Sequence, residues 1–185
     1  RPVPIQVPRS KINIVSAEEF ANEKINKIPW VIYNMFEKGT TNMLSAAPNN
    51  FKSWIALEIA ICISSGSPLF GLFTINKTET VWIINEEDTR AGIQERLNMF
   101  TKKWPKLPIY LSIQNQITLN DWYTNEIIIE AKRRGVGFII FDSLRSIHES
   151  DENSSTEMQR VMNQLKKITS HGITVLFTHH NRKKG

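Results

Sequence analysis

Hydrophobic and polar positions fall into blocks along the chain, and the blocks follow two different periods. Thr80–Asn85 (TVWIIN), Pro108–Ile113 (PIYLSI), Gly137–Phe141 (GFIIF) and Ile173–Thr178 (ITVLFT) are short runs rich in β-branched and aromatic residues. Such runs read as strands, and the unbroken apolar stretch Phe138–Phe141 reads as a strand covered on both faces. Thr41–Ala46 (TNMLSA) is a weaker strand candidate. Between these runs the apolar residues recur three and four apart, the spacing of one helix face. Lys52–Ser65 reads as a helix closed by Gly66, and Asp88–Lys102 carries Ile93, Leu97 and Phe100 on one side. Asn120–Arg134 reads as a helix stopped by Gly135, and Ser155–Ser170 lines up Met158, Val161, Met162, Leu165 and Ile168. Ser16 and Glu19 match a capping box at the start of a short helix. Residues 1–11 contain three prolines and no periodicity, so they read as an extended arm. The expected organisation is an arm and short helix over residues 1–26 and one α/β domain over 27–185.

Strands alternating with helices predict a mainly parallel sheet with helices on both faces. Right-handed crossovers bring the carboxyl ends of all its strands to one edge, where ligands of such sheets bind. The residues that follow each strand are therefore the ones to weigh for chemistry.

Composition narrows the picture only in part. With 41% hydrophobic residues among 185, the chain can bury one sizeable core. Its net charge of +5 permits a nucleic acid partner without demanding one. The single cysteine, Cys62, excludes an internal disulfide framework and a Cys-rich zinc site. No apolar run approaches the roughly 20 residues that cross a bilayer, so no membrane partner and a cytoplasmic location are expected. The five tryptophans are scattered rather than set in a basic–aromatic stripe, which gives no support to base stacking. The chain opens on Arg1 and stops at Gly185 just after a strand-like run, and it is expected to be a piece of a longer protein.

Four strand ends carry candidate chemistry. Ala46-Ala47-Pro48-Asn49-Asn50-Phe51-Lys52-Ser53 leads from a strand into a helix and sets Lys52-Ser53 where a phosphate-binding loop has its lysine and hydroxyl. Both glycines of that pattern are replaced, by Ala46 and Phe51. Backbone N–H groups at a helix start, with a lysine among them, suit phosphate; a helix that merely begins Lys-Ser is the plain alternative. Glu86-Glu87-Asp88 follows the second strand, where a carboxylate either caps the next helix or orients or deprotonates an attacking water: Asp88 suits the capping, and Glu87 is the candidate for the catalysis. Phe141-Asp142 ends the most apolar strand, placing an acid where nucleoside triphosphatases hold Mg²⁺. His179-His180 ends the last strand, and neighbouring strand residues point to opposite faces, so only one of the two can meet a given ligand. With only His148 and His171 besides, a zinc site is not supported. The acids Asp151-Glu152 read as a solvated loop, and Arg182, Lys183 and Lys184 read either as a frayed terminus or as contacts to nucleic acid phosphate.

Four blocks in fixed order resemble the RepA-like branch of the RecA-fold ATPases, relatives of the DnaB-type hexameric helicases. They are Pro29-Trp30 with Lys38-Gly39; Pro48 to Leu57; Ile83 to Asp88 with Arg96-Leu97; and Phe141 to His148 with Asp151-Glu152-Asn153 and Phe177 to Lys183. The resemblance covers roughly Lys27 to Gly185 and implies a RecA-like nucleoside triphosphatase core. It implies that Ala47, Pro48, Asn49, Asn50, Phe51, Lys52, Ser53 and Trp54 hold ATP, with Lys52 on the β- and γ-phosphates. Ser53 and Asp142 would hold Mg²⁺, Glu87 would activate the water, and His180 would sense the γ-phosphate. It further implies a homo-hexameric ring that grips DNA, single-stranded in the assembled state. A neighbouring subunit would supply a basic finger from chain beyond the last strand. Ala46, Asn49 and Phe51 depart from the family's glycines. Two functions fit: an ATP-driven motor in replication of a plasmid, phage or other mobile element, or a nucleotide-gated assembly or loading module with weakened hydrolysis.

Overall fold

The computed structural model describes residues 12–24, 27–47, 50–100, 106–148 and 154–180. Pro48, Asn49, Asp151, Glu152, Arg182, Lys183 and Lys184, together with the arm over residues 1–11, lie outside the described residues.

The chain runs α1 (Ala17–Asn22), a small hairpin of β1 (Trp30–Ile32) and β2 (Phe36–Glu37), then β3 (Thr41–Ala46), α2 (Lys52–Ser65), β4 (Thr80–Asn85), α3 (Arg90–Phe100) and β5 (Ile109–Ile113). It continues through α4 (Asp121–Arg134), β6 (Val136–Phe141), a 3-10 turn (Leu144–Ile147), α5 (Ser155–Thr169) and β7 (Thr174–His180). Five strands form one sheet in the order β3-β7-β6-β4-β5, and every neighbouring pair in it is parallel. The predicted α/β class with helices on both faces is what the chain adopts.

Period-two alternation divides the strand residues between two cores. Val81, Ile83, Phe138, Ile140 and Leu176 join α2 and the β1–β2 hairpin on one face. Trp82, Ile84, Ile139, Phe141, Val175 and Phe177 join α4 and α5 on the other. All six residues of β6 are buried, as the apolar run predicts, and each large side chain so buried contributes about 1.5–3 kcal/mol. Helix α2, apolar nearly all round, is buried as well: Ala56, Leu57, Ile59, Ala60, Cys62 and Ile63 face the core. Burial pushes the Cys62 thiol up to about 12, so it serves as packing and carries no reactivity at neutral pH.

Local signals set the helix limits. Ser16 and Glu19 form the predicted capping box at α1. Gly66 closes α2 at φ 80 and Gly135 closes α4 at φ 65, both left-handed conformations that glycine adopts without cost. Asn120 caps α4 by accepting the Tyr123 N–H. One assignment is corrected: α3 begins at Arg90 rather than Asp88. Thr89 makes the capping bond, accepting the Gly92 N–H at 3.2 Å, while Asp88 is drawn into an ion pair with Arg96.

Candidate active site

Parallel pairing places the carboxyl ends of β3, β4, β6 and β7 at one edge. A cavity of about 360 Å³ opens there. It is lined by the start of α2 (Asn50 to Trp54), by Glu87, Asp88 and Arg96, and by Asp142 and His180. Six of the eight residues of the predicted loop are described, and five of them line this cavity; the sixth, Ala47, accepts the Lys52 ammonium on its carbonyl.

The start of α2 breaks three local rules at once. Phe51 occupies the N-cap position in the left-handed region, at φ 55 and ψ 18, where a side chain is ordinarily disfavoured. No side chain caps the helix, so its first N–H groups keep no side-chain acceptor. The first turn carries a lysine and no acid, although the positive end of the helix dipole favours the opposite. Lys52 is only 5% exposed, and its ammonium donates to the carbonyls of Ala46 (3.1 Å) and Ala47 (2.9 Å). A buried cation at the positive dipole end of a helix with no side-chain cap is an electrostatic arrangement that an anion relieves. Trp54, one turn in, packs on Phe100 with ring centroids 5.5 Å apart.

Asp142, at the end of β6, is 7% exposed. Its Oδ1 accepts the Thr178 hydroxyl at 2.7 Å and its Oδ2 accepts the Asn85 amide at 3.4 Å; the Ser53 side chain lies near enough to favour its charged form. Burial pushes its carboxyl above the usual range; the Thr178 and Ser53 hydroxyls oppose this, and the nearby Asp88 and Glu87 charges add to it. Ser53 and Asp142 thus bring a hydroxyl and a carboxylate together, hard oxygen donors of the kind Mg²⁺ takes alongside phosphate and water. Among the described residues no group of three His, Cys, Asp or Glu side chains is spaced to hold a metal by itself. The pair fits Mg²⁺ shared with a phosphate ligand.

Glu87 is exposed at the cavity rim and accepts the hydroxyl of Ser143, the residue joined to Asp142 by a cis peptide bond. His180 ends β7 in register with Ala46, beside the loop that Lys52 holds. Its Nδ1 is buried and has no hydrogen-bond partner among the described residues. His179 points to the opposite face, towards a groove with Met43, Met158 and Met162, as strand alternation requires.

Three residues of the site had no role in the sequence reading. Asn85, 2% exposed, accepts the backbone N–H groups of Glu87 (3.1 Å) and Asp88 (2.8 Å) on its oxygen and gives its amide to both Asp88 and Asp142. A polar residue closing an apolar strand just before three acids is the signal that marks it. Arg96 forms a two-bond pair with Asp88 at 2.6 and 2.9 Å. Thr178 leaves no such trace, since it continues the alternation of β7.

A buried lysine at the start of the helix after the edge strand, facing an acid at the tip of a central parallel strand, defines the P-loop nucleoside triphosphatase class. The family model described as AAA domain matches residues 6–185, and the chain belongs to that family of P-loop ATPases. No curated protein matches the chain significantly. No helix among the described residues is long and apolar enough to cross a membrane.

Proposed function

We propose that this domain binds ATP with Mg²⁺ in the 360 Å³ cavity and hydrolyses it. The observation that carries the reading is the start of α2: a helix end with no side-chain cap and a buried lysine in its first turn both incur an electrostatic cost unless an anion sits there. Lys52 and the first N–H groups of α2 hold the β- and γ-phosphates, with Ala47, Asn50, Phe51 and Trp54 shaping the pocket. Pro48 and Asn49 complete the loop in sequence. Ser53 and Asp142 hold Mg²⁺, which neutralises charge on the phosphates when bound. Glu87, aimed by its bond from Ser143, takes the proton of the attacking water, and His180 donates to the terminal phosphate.

At the finer level, we read the domain as the motor of a replication protein of a plasmid, phage or other mobile element. It would belong to the RepA-like branch and work as a homo-hexameric helicase or helicase-like ring on single-stranded DNA. The support is the order and spacing of the sequence blocks and the net charge of +5. Phe51 bears on the alternative of a nucleotide-gated module with weakened chemistry. It takes the left-handed backbone a glycine would supply, so the conformation at position 51 survives the loss of the glycine, which favours the hydrolysing reading.

The test is melting of the full-length protein with Mg-ATP. Ligand at about 100 times Kd stabilises by roughly 2.7 kcal/mol, and Lys52→Ala is expected to abolish that shift. No shift in the wild type removes the nucleotide reading. DNA binding by the assembled protein that weakens steeply with salt separates a DNA motor from an ATPase with protein clients.

A further inference from the structure

We propose that Arg96 is a positioning residue: acting through Asp88 and Asn85, it holds the backbone that aims Glu87 and the carboxylate of Asp142 in their working places. The inference rests on the nucleotide reading of the cavity and adds the element that keeps its two acidic sides in register.

The bonds form one unbroken path. The Arg96 guanidinium grips both oxygens of Asp88, at 2.6 and 2.9 Å. Asp88 Oδ2 also accepts the Asn85 amide at 3.0 Å, and the same NH₂ group reaches Asp142 Oδ2 at 3.4 Å. The other side of that amide accepts the N–H groups of Glu87 and Asp88, which turns the chain as it leaves β4. Glu87 in turn accepts the Ser143 hydroxyl, so the path closes on the residue after Asp142.

Two features separate this from an ordinary surface ion pair. Both side chains are only 26% exposed, and the contact is the planar two-bond fork that lysine cannot reproduce. Among the described residues, Arg96 and Lys52 are the two basic side chains that line the cavity, with the carboxylates of Glu87, Asp88 and Asp142. Without it, Asp88 becomes an unpaired charge next to Asn85, whose amide is then pulled between two acids. The loop bearing Glu87 loses its anchor at the same moment.

The experiment uses the full-length protein as wild type, R96Q, R96K, D88N and the R96Q/D88N double variant. It measures ATP turnover, KM, and the Kd of a Mg-bound non-hydrolysable ATP analogue, with stability of each variant by urea unfolding. R96Q is expected to lower kcat about 10–100-fold, the usual effect of losing an outer partner of a metal-site ligand, while the analogue Kd stays within about threefold. R96K is expected to recover part of the loss, and the double variant to be no worse than the poorer single one, because both act through one path. D88N preserves the shape of Asp88 and carries the same expectation should R96Q fail to fold. In a wild type that binds without turnover, the readout is the Mg²⁺ requirement of analogue binding, which R96Q is expected to weaken by about tenfold. A kcat or Mg²⁺ requirement unchanged in R96Q and D88N overturns the proposal, as do losses that multiply in the double variant or that match the unfolded fraction. Wild type that binds no analogue removes the nucleotide reading and this inference together; wild type that binds, with Arg96 variants unaltered, removes this inference alone.

Discussion

Thr178 donates its hydroxyl to Asp142 across a strand boundary, at 2.7 Å. Thr178 belongs to β7, the strand lying between β3, which leads to the Lys52 loop, and β6, which leads to Asp142. The bond therefore ties the acid to the strand separating the two halves of the cavity. Thr178→Val keeps the shape and removes the donor, leaving a buried carboxylate oxygen short of a partner. The expected cost is about 1–3 kcal/mol in urea unfolding, with Thr178→Ser restoring most of it. A Val variant as stable as wild type would show that the bond contributes nothing.

Asp88 supplies a pH dependence of definite sign. Burial disfavours its charge, but Arg96 and Asn85 outweigh this and hold the carboxyl below its ordinary value of 3.8. A native value below the unfolded one means stability that is present above 3.8 and lost as pH falls through the lower native value. The difference in unfolding free energy between wild type and Asp88→Asn is expected to be flat between about pH 5 and 8 and to shrink in more acid solution. Partial exposure limits the plateau to about 1 kcal/mol. A difference that grows on acidification contradicts the assignment.

Phe51 offers a gain rather than a loss. Its side chain is 71% exposed and its backbone is left-handed at φ 55. Phe51→Gly removes a strain of about 1–2 kcal/mol while the added freedom of the unfolded chain takes back about 0.5–1. The net expectation is a stabilisation of up to about 1.5 kcal/mol by thermal unfolding, none of it reproduced by Phe51→Ala, which keeps its Cβ.

Glu87→Gln separates binding from chemistry. The amide retains the size of the side chain and loses the base. Melting shifts with Mg-ATP are expected to match those of wild type, while turnover of the full-length protein falls about 100-fold or more, within the range for a general base. Turnover at the wild-type rate excludes Glu87 as the residue that activates water.

Much of this arrangement is legible in the chain before any coordinates. The limits of α2 and α4 can be read because Gly66 and Gly135 close them in the one conformation that glycine adopts most cheaply. The sheet can be read because β4, β6 and β7 are buried on both faces and keep unbroken apolar runs. The β1–β2 hairpin cannot, since strands of three and two residues are too short to show a period. The start of α3 is misjudged for a physical reason: an acid before a helix usually caps it, but a guanidinium two turns on competes for Asp88 and wins. Lys52, Ser53, Glu87, Asp142 and His180 stand out by residue type at strand ends, and the structure gathers all five around one cavity. Thr178 and Asn85 stay hidden because their work lies in partners far along the chain, 36 and 57 residues from Asp142.

The amide of Asn85 works in one orientation only. Its oxygen faces two backbone hydrogens and its nitrogen faces two carboxylates, so turning it over sets like against like at every contact, and exchanging its NH₂ for O⁻ does so at both carboxylates. Asparagine and aspartate codons differ by a single base, and the two side chains have the same outline. The commonest kind of genetic accident can thus disable this pocket while leaving its silhouette intact.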